Sequence, residues 1–267
     1  MKEIDSNRHA WAQIAEDHYH AYKKRFTVGQ QYLNTHIKKE LGNLKGKNIM
    51  HLQCNVGADT ILLAKMAKSV VGVDLVPENI FYAKQLAEDL NINNVEFFAS
   101  DVMQLREKQV EKYDVVFVSE GSIGWLPDLN LWGKIVRKLL KNDGFLYIFD
   151  SHPFFLMTDP KKLANNNIEI MYPYFSKVPD VDNSIGGYAS EPKYGVKAFF
   201  WMYTVSDLIN ALTFAGLHIE YFNEFTENFY NSGGMRSIEK SGLFNFDYNN
   251  DMYPMSFSLR ASVYKNK

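Results

Sequence analysis

Residues 48–67, NIMHLQCNVGADTILLAKMA, constrain the chain more than any other stretch. The apolar run from Ile49 to Leu52 reads as a buried strand, and Gln53-Cys54-Asn55-Val56-Gly57 as the turn that ends it. A helix starts near Ala58, with Ile61, Leu62, Ala64 and Lys65 at helical spacing. Strand, tight turn and helix in that order form the first half of a nucleotide-binding βαβ unit. The turn lets a ligand approach the backbone, and the free N–H groups of the helix point at it. A second apolar strand, Val70 to Val73, ends in Asp74. At about 20 residues beyond the turn, such folds place an acid that accepts hydrogen bonds from both ribose hydroxyls. Of a full glycine fingerprint only Gly57 is present, since Gln53 and Asn55 stand where small residues are usual.

From 46 to 151 the pattern alternates strand and helix with short connections, as a parallel sheet wound on both faces requires. Strands are expected over 47–53, 70–75, 95–99, 113–119 and 145–150. Helices are expected over 58–68, from Pro77 to about 90 and over 128–140, with a turn at 141–144. Ligands in such sheets sit beyond the carboxyl ends of the strands. Those ends present Gln53 to Gly57, Asp74, Asp101, Ser119 with Glu120, and Ser151 with His152.

The flanks carry more apolar and aromatic side chains. Residues 1–45 read as two helices, the first capped by Ser6 or Asn7 with Trp11, Ile14, Ala15, His18, Tyr19 and Tyr22 on one face. The second places Val28, Tyr32, Leu33, His36 and Ile37 inward and ends near Gly42. Trp11, His18, Tyr19 and Tyr22 stand where a core would hold Leu or Ile, so residues 1–45 read either as a helical lid or as plain packing. Residues 153–203 are rich in Tyr, Phe, Pro, Asn and Gly without a helical period. They fit paired strands folded over the ligand edge as an insertion or flap. A structural flap or a dimer contact is the plainer reading. Ser206-Asp207 can cap a helix reaching Ala215, a strand covers 217–225, and 255–264 alternates as a last strand. The expected fold is a single α/β domain, a doubly wound Rossmann-like sheet of seven mostly parallel strands with a C-terminal antiparallel hairpin.

Composition excludes several classes. A formal charge of −2 argues against bulk electrostatic binding of nucleic acid. One cysteine, Cys54, allows no internal disulfide and no zinc cluster. No apolar run approaches membrane-spanning length and the N-terminal residues are polar, so a cytoplasmic protein without a membrane partner is expected.

These residues resemble the class I S-adenosylmethionine-dependent methyltransferases over roughly 8–265. The likeness rests on HLQCNVGADT, on VVGVDL ending in its acid, on the SD pair after the third strand, and on YDVVFVSEGSIGWLPDL. LLKNDGFLYI and the terminal YPMSFSLRA complete it. With the RHAW helix and the WLPDL stretch, the turn is similar to a bacterial subgroup written HLQC-x-x-G-x-D-T. The resemblance implies S-adenosyl-L-methionine as cofactor. Gln53, Cys54, Asn55 and Gly57 would line its methionine end, and Asp74 would hold the ribose diol. Leu75 would pack near the adenine, Asp101 with Val102 would meet the adenine amine and ring edge, and Ser119 with Glu120 would sit beneath the sulfonium.

Other residues are weighed singly. His152 follows the fifth strand at the ligand edge, where a general base or substrate contact could stand, and Glu120 could orient an acceptor. Trp125 and Leu126 wall an acceptor pocket or pack the next helix, and Trp11, Tyr19 and Tyr22 would meet the acceptor from a lid. Cys54 reads as a buried packing residue, since no base that would make it a nucleophile is evident, and His51 as a core histidine; Asp59 and Thr60 either contact the cofactor or cap the helix. The expected activity is direct in-line methyl transfer to a small molecule, by a monomer or homodimer. The rivals are an inactive methyltransferase-like binding module and a nicotinamide-dependent oxidoreductase. The latter should show the fuller G-x-G-x-x-G that Gln53 and Asn55 interrupt.

Overall fold

The computed structural model describes residues 2–29, 32–105, 112–187 and 189–263. Its strands are β1 (Asn48–Leu52), β2 (Ser69–Asp74), β3 (Val95–Ala99), β4 (Tyr113–Ser119), β5 (Leu140–Ser151), β6 (Asp180–Gly187), β7 (Ser190–Phe200), β8 (Leu217–Phe225), β9 (Arg236–Ile238), β10 (Leu243–Asn245) and β11 (Ser256–Val263). The helices are α1 (Lys2–Ala12), α2 (Ala15–Thr27), α3 (Thr35–Leu41), α4 (Ala58–Ala64), α5 (Pro77–Asp89), α6 (Leu129–Leu139), α7 (Pro153–Leu156), α8 (Pro160–Leu163) and α9 (Val205–Phe214). Seven strands form one sheet in the order β3-β2-β1-β4-β5-β11-β8. It is parallel from β3 to β5, and β11 runs antiparallel to both β5 and β8.

Each central strand feeds two cores, because successive side chains leave opposite faces of a sheet. On β4, Val115 and Phe117 join the core under α4 and α5, while Val116 and Val118 join the core under α6 and α9. On β5, Phe145, Tyr147 and Phe149 face one way and Leu146 and Ile148 the other. Both layers are dry, so the strands read as continuous apolar runs. The strand order reverses between β1 and β4, where an open α/β sheet leaves a crevice at its carboxyl edge.

The N-terminal segment departs from its sequence reading. It breaks at Gln13-Ile14 into α1 and α2, and Ser6 and Asn7 lie inside α1 rather than capping it. Ile14 is fully buried at the break, so the apolar period continues through the turn and hides it. Asn7 has another task. Its amide donates to the Phe199 carbonyl at 2.8 Å and accepts from the Phe199 N–H at 2.7 Å, which pairs α1 with β7. Val28, expected inward, is 63% exposed just past the end of α2. Asn34 caps α3, accepting from Ile37 N–H, and Gly42 at φ +63° ends it.

Elsewhere the differences are local. α4 stops at Ala64 rather than 68, because the chain turns through Met66 and Ala67, which both donate to the Leu63 carbonyl. β5 begins at Leu140, so the expected turn at 141–144 is an irregular start to the strand. α9 is capped by Thr204, not Ser206. Thr204 and Asp207 bond reciprocally as a capping box. Residues 153–203 contain the two one-turn helices α7 and α8 and the antiparallel pair β6–β7, a small sheet of its own. Between β8 and β11, residues 228–250 carry the short pair β9–β10.

Candidate active site

A cavity of about 350 Å³ opens at the carboxyl edge of the sheet, over the crevice between β1 and β4. Its floor is the turn after β1. Gln53 and Asn55 hold φ values of +55° and +50°, and Gly57 holds +76°. Positive φ is the backbone state that glycine adopts most easily, so the two side chains replace glycines without changing the course of the chain. Strain of about 1–3 kcal/mol at such a residue persists where its surroundings fix it. Here they do. The Asn55 N–H donates to Asp74 at 2.8 Å, its side-chain oxygen accepts from Val56 N–H at 2.7 Å, and the Gln53 amide donates to the Ser122 carbonyl at 2.8 Å. Gly57 has no such freedom of replacement, since a Cβ there would lie 2.7 Å from the Phe97 ring.

Asp74 closes β2 and lines the cavity. It is buried, and its carboxylate accepts from Asn55 N–H, Val76 N–H and the Asn79 side-chain amide at 2.8–3.0 Å. Burial pushes its pKa up while these donors pull it back. Beside it, the Asn79 Oδ1 and Gln53 Oε1 atoms are buried without a protein partner, and both side chains line the cavity. Asp101 also lines it, capping the short turn at 102–104 through Met103 N–H, with Val102 buried next to it and Leu75 nearby.

The end of β4 supplies the middle of the site. Ser119 donates to Asp59 at 2.8 Å, so its oxygen accepts from His51 Nε2 at 3.2 Å, and His51 Nδ1 in turn accepts from Thr60 at 2.8 Å. Asp59 and Thr60 therefore belong to this chain of hydrogen bonds and do not cap α4, whose N-cap is Gly57. Burial holds His51 neutral, with its pKa lowered to about 3. Glu120 follows at φ +51° and accepts from the Asn34 side-chain amide at 3.0 Å. Its pKa is pushed well up, first by burial and then by the negative charge of Asp59.

Asp150 carries no signal in the sequence beyond its place at the end of a strand, yet it sets the shape of this region. It is buried and accepts from the N–H groups of Gly121, Ser122, Ile123 and Ser151 at 2.6–3.0 Å. The loop that carries Glu120 is thereby fastened to β5.

The upper wall is aromatic. Trp11 stands edge-on to His18 at 5.7 Å and to Trp125 at 5.2 Å, and Trp125 stands edge-on to Phe200 at 5.2 Å. Tyr22, Tyr203 and Tyr230 also line the cavity. His18 has its pKa lowered to about 4 by burial, against a hydrogen bond to Asn55 and the charge of Asp17. An NMR titration should therefore find the His18 and His51 rings still neutral at pH 5. A midpoint near 6.5 for either would mean that its ring is solvated.

Three sequence-predicted residues are not brought to the cavity: Gly57, which faces Phe97 and Ala83 instead, His152 and Tyr19. His152 does not line it. Its Nδ1 accepts from Phe154 N–H at 3.0 Å as the cap of α7, which leaves Nε2 to donate to Glu224 at 2.9 Å. The strand has ended at Ser151, so the next side chain turns with α7 toward β8. Tyr19 points away as well, donating to Asp89 at 2.6 Å and stacking on Tyr82 at 5.2 Å, between α2 and α5. Cys54 lines the cavity but is buried, with its thiol pKa pushed well up by burial and by Asp74. Since the thiolate is the reactive form, iodoacetamide at pH 8 should alkylate the folded protein at least about a hundredfold more slowly than the urea-unfolded chain. Equal rates would place Cys54 in contact with solvent.

Among the described residues lining the cavity, five are carboxylic acids (Asp59, Asp74, Asp101, Glu120 and Asp150) and none is Lys or Arg. Among the described residues the lining is thus acidic and aromatic beside apolar surface.

Comparison with known proteins decides the family. Residues 43–187, more than half of the chain, match the model of a methyltransferase domain. The chain belongs to this methyltransferase family. Relatives of the methyltransferase include a protein named as an uncharacterized RNA methyltransferase from Clostridium tetani. It is 28% identical over 163 residues, 59% of this chain and 34% of that protein. A ubiquinone biosynthesis O-methyltransferase from Acinetobacter baumannii is 26% identical over 111 residues, 42% of this chain and 46% of that one. The methyltransferase thus spans less than half the length of these curated relatives. An S-adenosylmethionine dependent methyltransferase from Mesorhizobium loti has the same fold. Its TM-score is 0.56 at 16% identity, covering 85% of this chain and 95% of that one.

Proposed function

We propose that this methyltransferase moves the methyl group of S-adenosylmethionine to a small neutral or cationic acceptor, and that its turn belongs with the HLQC-x-x-G-x-D-T subgroup. The observation that carries the reading is the cavity lining: five acids, no Lys or Arg among the described residues, and an aromatic wall. The cofactor is S-adenosylmethionine, whose sulfonium supplies an electrophilic methyl group. Its two cationic centres suit acids and ring faces, and its lack of phosphate suits a turn in which side chains replace glycines. Asp74 holds the ribose, with the unpartnered Asn79 Oδ1 beside it. Leu75, Asp101 and Val102 receive the adenine. Gln53, Cys54 and Asn55 line the methionine end, and Ser119 and Glu120 stand beneath the sulfur.

In the transfer, the lone pair of the acceptor forms a bond to the methyl carbon as the carbon–sulfur pair returns to sulfur. The acceptor loses its proton to Glu120 or to water. Glu120 suits the task because it lines the cavity and because burial and the charge of Asp59 raise its proton affinity. Alignment in a closed space carries most of the acceleration, for which about 7–11 kcal/mol is available in principle. We also read α1, α2 and the β6–β7 pair as the cover that closes this space, in a monomer or homodimer.

The Clostridium tetani relative bears an RNA name, and RNA would put a base in this cavity and its phosphates at the rim. Carboxylates repel them, and neutralising phosphates takes Lys and Arg. The pyrophosphate of a nicotinamide dinucleotide meets the same objection. A thermal-shift series tests all three. S-adenosylhomocysteine at about 100 times its dissociation constant should stabilise the fold by about 2.7 kcal/mol, whereas NAD and short RNA should leave it unchanged. A shift with NAD alone, or tight RNA retention at physiological salt, would overturn the reading.

A further inference from the structure

The active-site cavity has a neighbour. A groove of about 540 Å³ lies in the insertion, within the range that holds small organic ligands. Ile185, Ala198 and Met202 are buried in its floor, and Val178 stands 70% exposed at its lip. Its wall is shared with the cavity through Trp125, Leu156, Gly186 and Phe200. The partition is the edge-on pair Trp125 and Phe200. A Cβ on Gly124 would overlap the Phe200 ring, so the sequence leaves a seat for that ring. Trp201 N–H donates to the Gly124 carbonyl at 2.7 Å and Tyr203 donates to the Leu126 carbonyl at 2.7 Å, which fastens the partition from both sides. Among the described residues neither Lys nor Arg lines the groove, and its two acids, Asp180 and Asp182, are exposed at its rim.

We propose that this groove seats an alkyl or prenyl-like chain carried by the methyl acceptor, whose nucleophilic end reaches the cavity beside the Trp125–Phe200 partition. The proposal rests on the methyltransferase reading of the cavity. A small polar acceptor would leave the groove without a use. An acceptor with an apolar tail fills both hollows at once, with its polar end among the acids and its tail against Ile185, Ala198 and Met202.

The test uses the full chain saturated with S-adenosylhomocysteine. The neutral fluorophore N-phenyl-1-naphthylamine is bound in the groove and then displaced by n-alkanols from hexanol to dodecanol. Affinity should rise about fourfold per added methylene until the groove is full. Ser184→Trp fills the groove from a half-buried position that does not line the cavity. It should weaken dodecanol binding about tenfold or more while leaving S-adenosylhomocysteine affinity within about twofold. Val178→Asp, at the exposed lip, should weaken it several-fold without disturbing the fold. No dependence on chain length, no effect of either variant, or alkanols that expel S-adenosylhomocysteine would each overturn the proposal. Failure of S-adenosylhomocysteine to bind the wild type would overturn the cofactor reading instead, and the alkanol series without it would still report on the groove.

Discussion

Asp74→Ala is expected to weaken S-adenosylhomocysteine binding about tenfold or more in a calorimetric titration. A hydrogen bond to a charged acceptor contributes about 1.5–3 kcal/mol, and a factor of ten corresponds to about 1.4 kcal/mol. The loss has a second source in the protein itself. Asp74 accepts the Asn55 N–H, so its removal frees a turn held at positive φ and releases the Asn79 amide. Asp74→Asn separates the two effects, because it keeps the size of the side chain and removes the charge. It should bind more tightly than Asp74→Ala and more weakly than the wild type. Unchanged affinity in Asp74→Ala would remove this residue from the site.

The second large effect is expected at Asp150. Its carboxylate accepts four backbone N–H groups, and replacing it by alanine leaves all four without their acceptor. A buried donor left unsatisfied costs about 1–3 kcal/mol. Water entering from the cavity side recovers part of this, so Asp150→Ala should lower the unfolding free energy by about 3 kcal/mol or more in urea. Asp150→Asn keeps one acceptor oxygen and should lose less. A change below about 1 kcal/mol would mean that the loop after β4 holds its shape without Asp150.

The sequence is most legible where one force dominates. β3, β4 and β8 fall at their expected positions because each is a short apolar or alternating run between polar breaks. Asp74 is legible for a topological reason, since the strand order brings the end of β2 to the crevice whatever the side chains do. Boundaries are hidden where burial continues through a turn. Ile14 keeps the apolar period across the break between α1 and α2, and Met66 and Ala67 pack against the core after α4 has ended.

Side-chain direction is the least legible property. His152 and Asp150 stand two residues apart at the same strand end, and only Asp150 faces the crevice. His152 is drawn off by the cap of α7 and by Glu224, a partner 72 positions away that no local pattern discloses. Tyr19 likewise shares a helix face with Tyr22 in the sequence, but Asp89 of α5 captures its hydroxyl. Asn7 is the converse case. It reads as a cap and serves as the link between α1 and β7, because its amide finds an N–H and a carbonyl on one residue of that strand.

A crystal structure of the methyltransferase grown with S-adenosylhomocysteine tests the central claim most directly. The predicted electron density lies across the carboxyl edge of the sheet, with both ribose hydroxyls on Asp74, the adenine beside Asp101 and Val102, and the sulfur above Ser119 and Glu120. Density elsewhere, or a ligand whose sugar leaves Asp74 untouched, would contradict it.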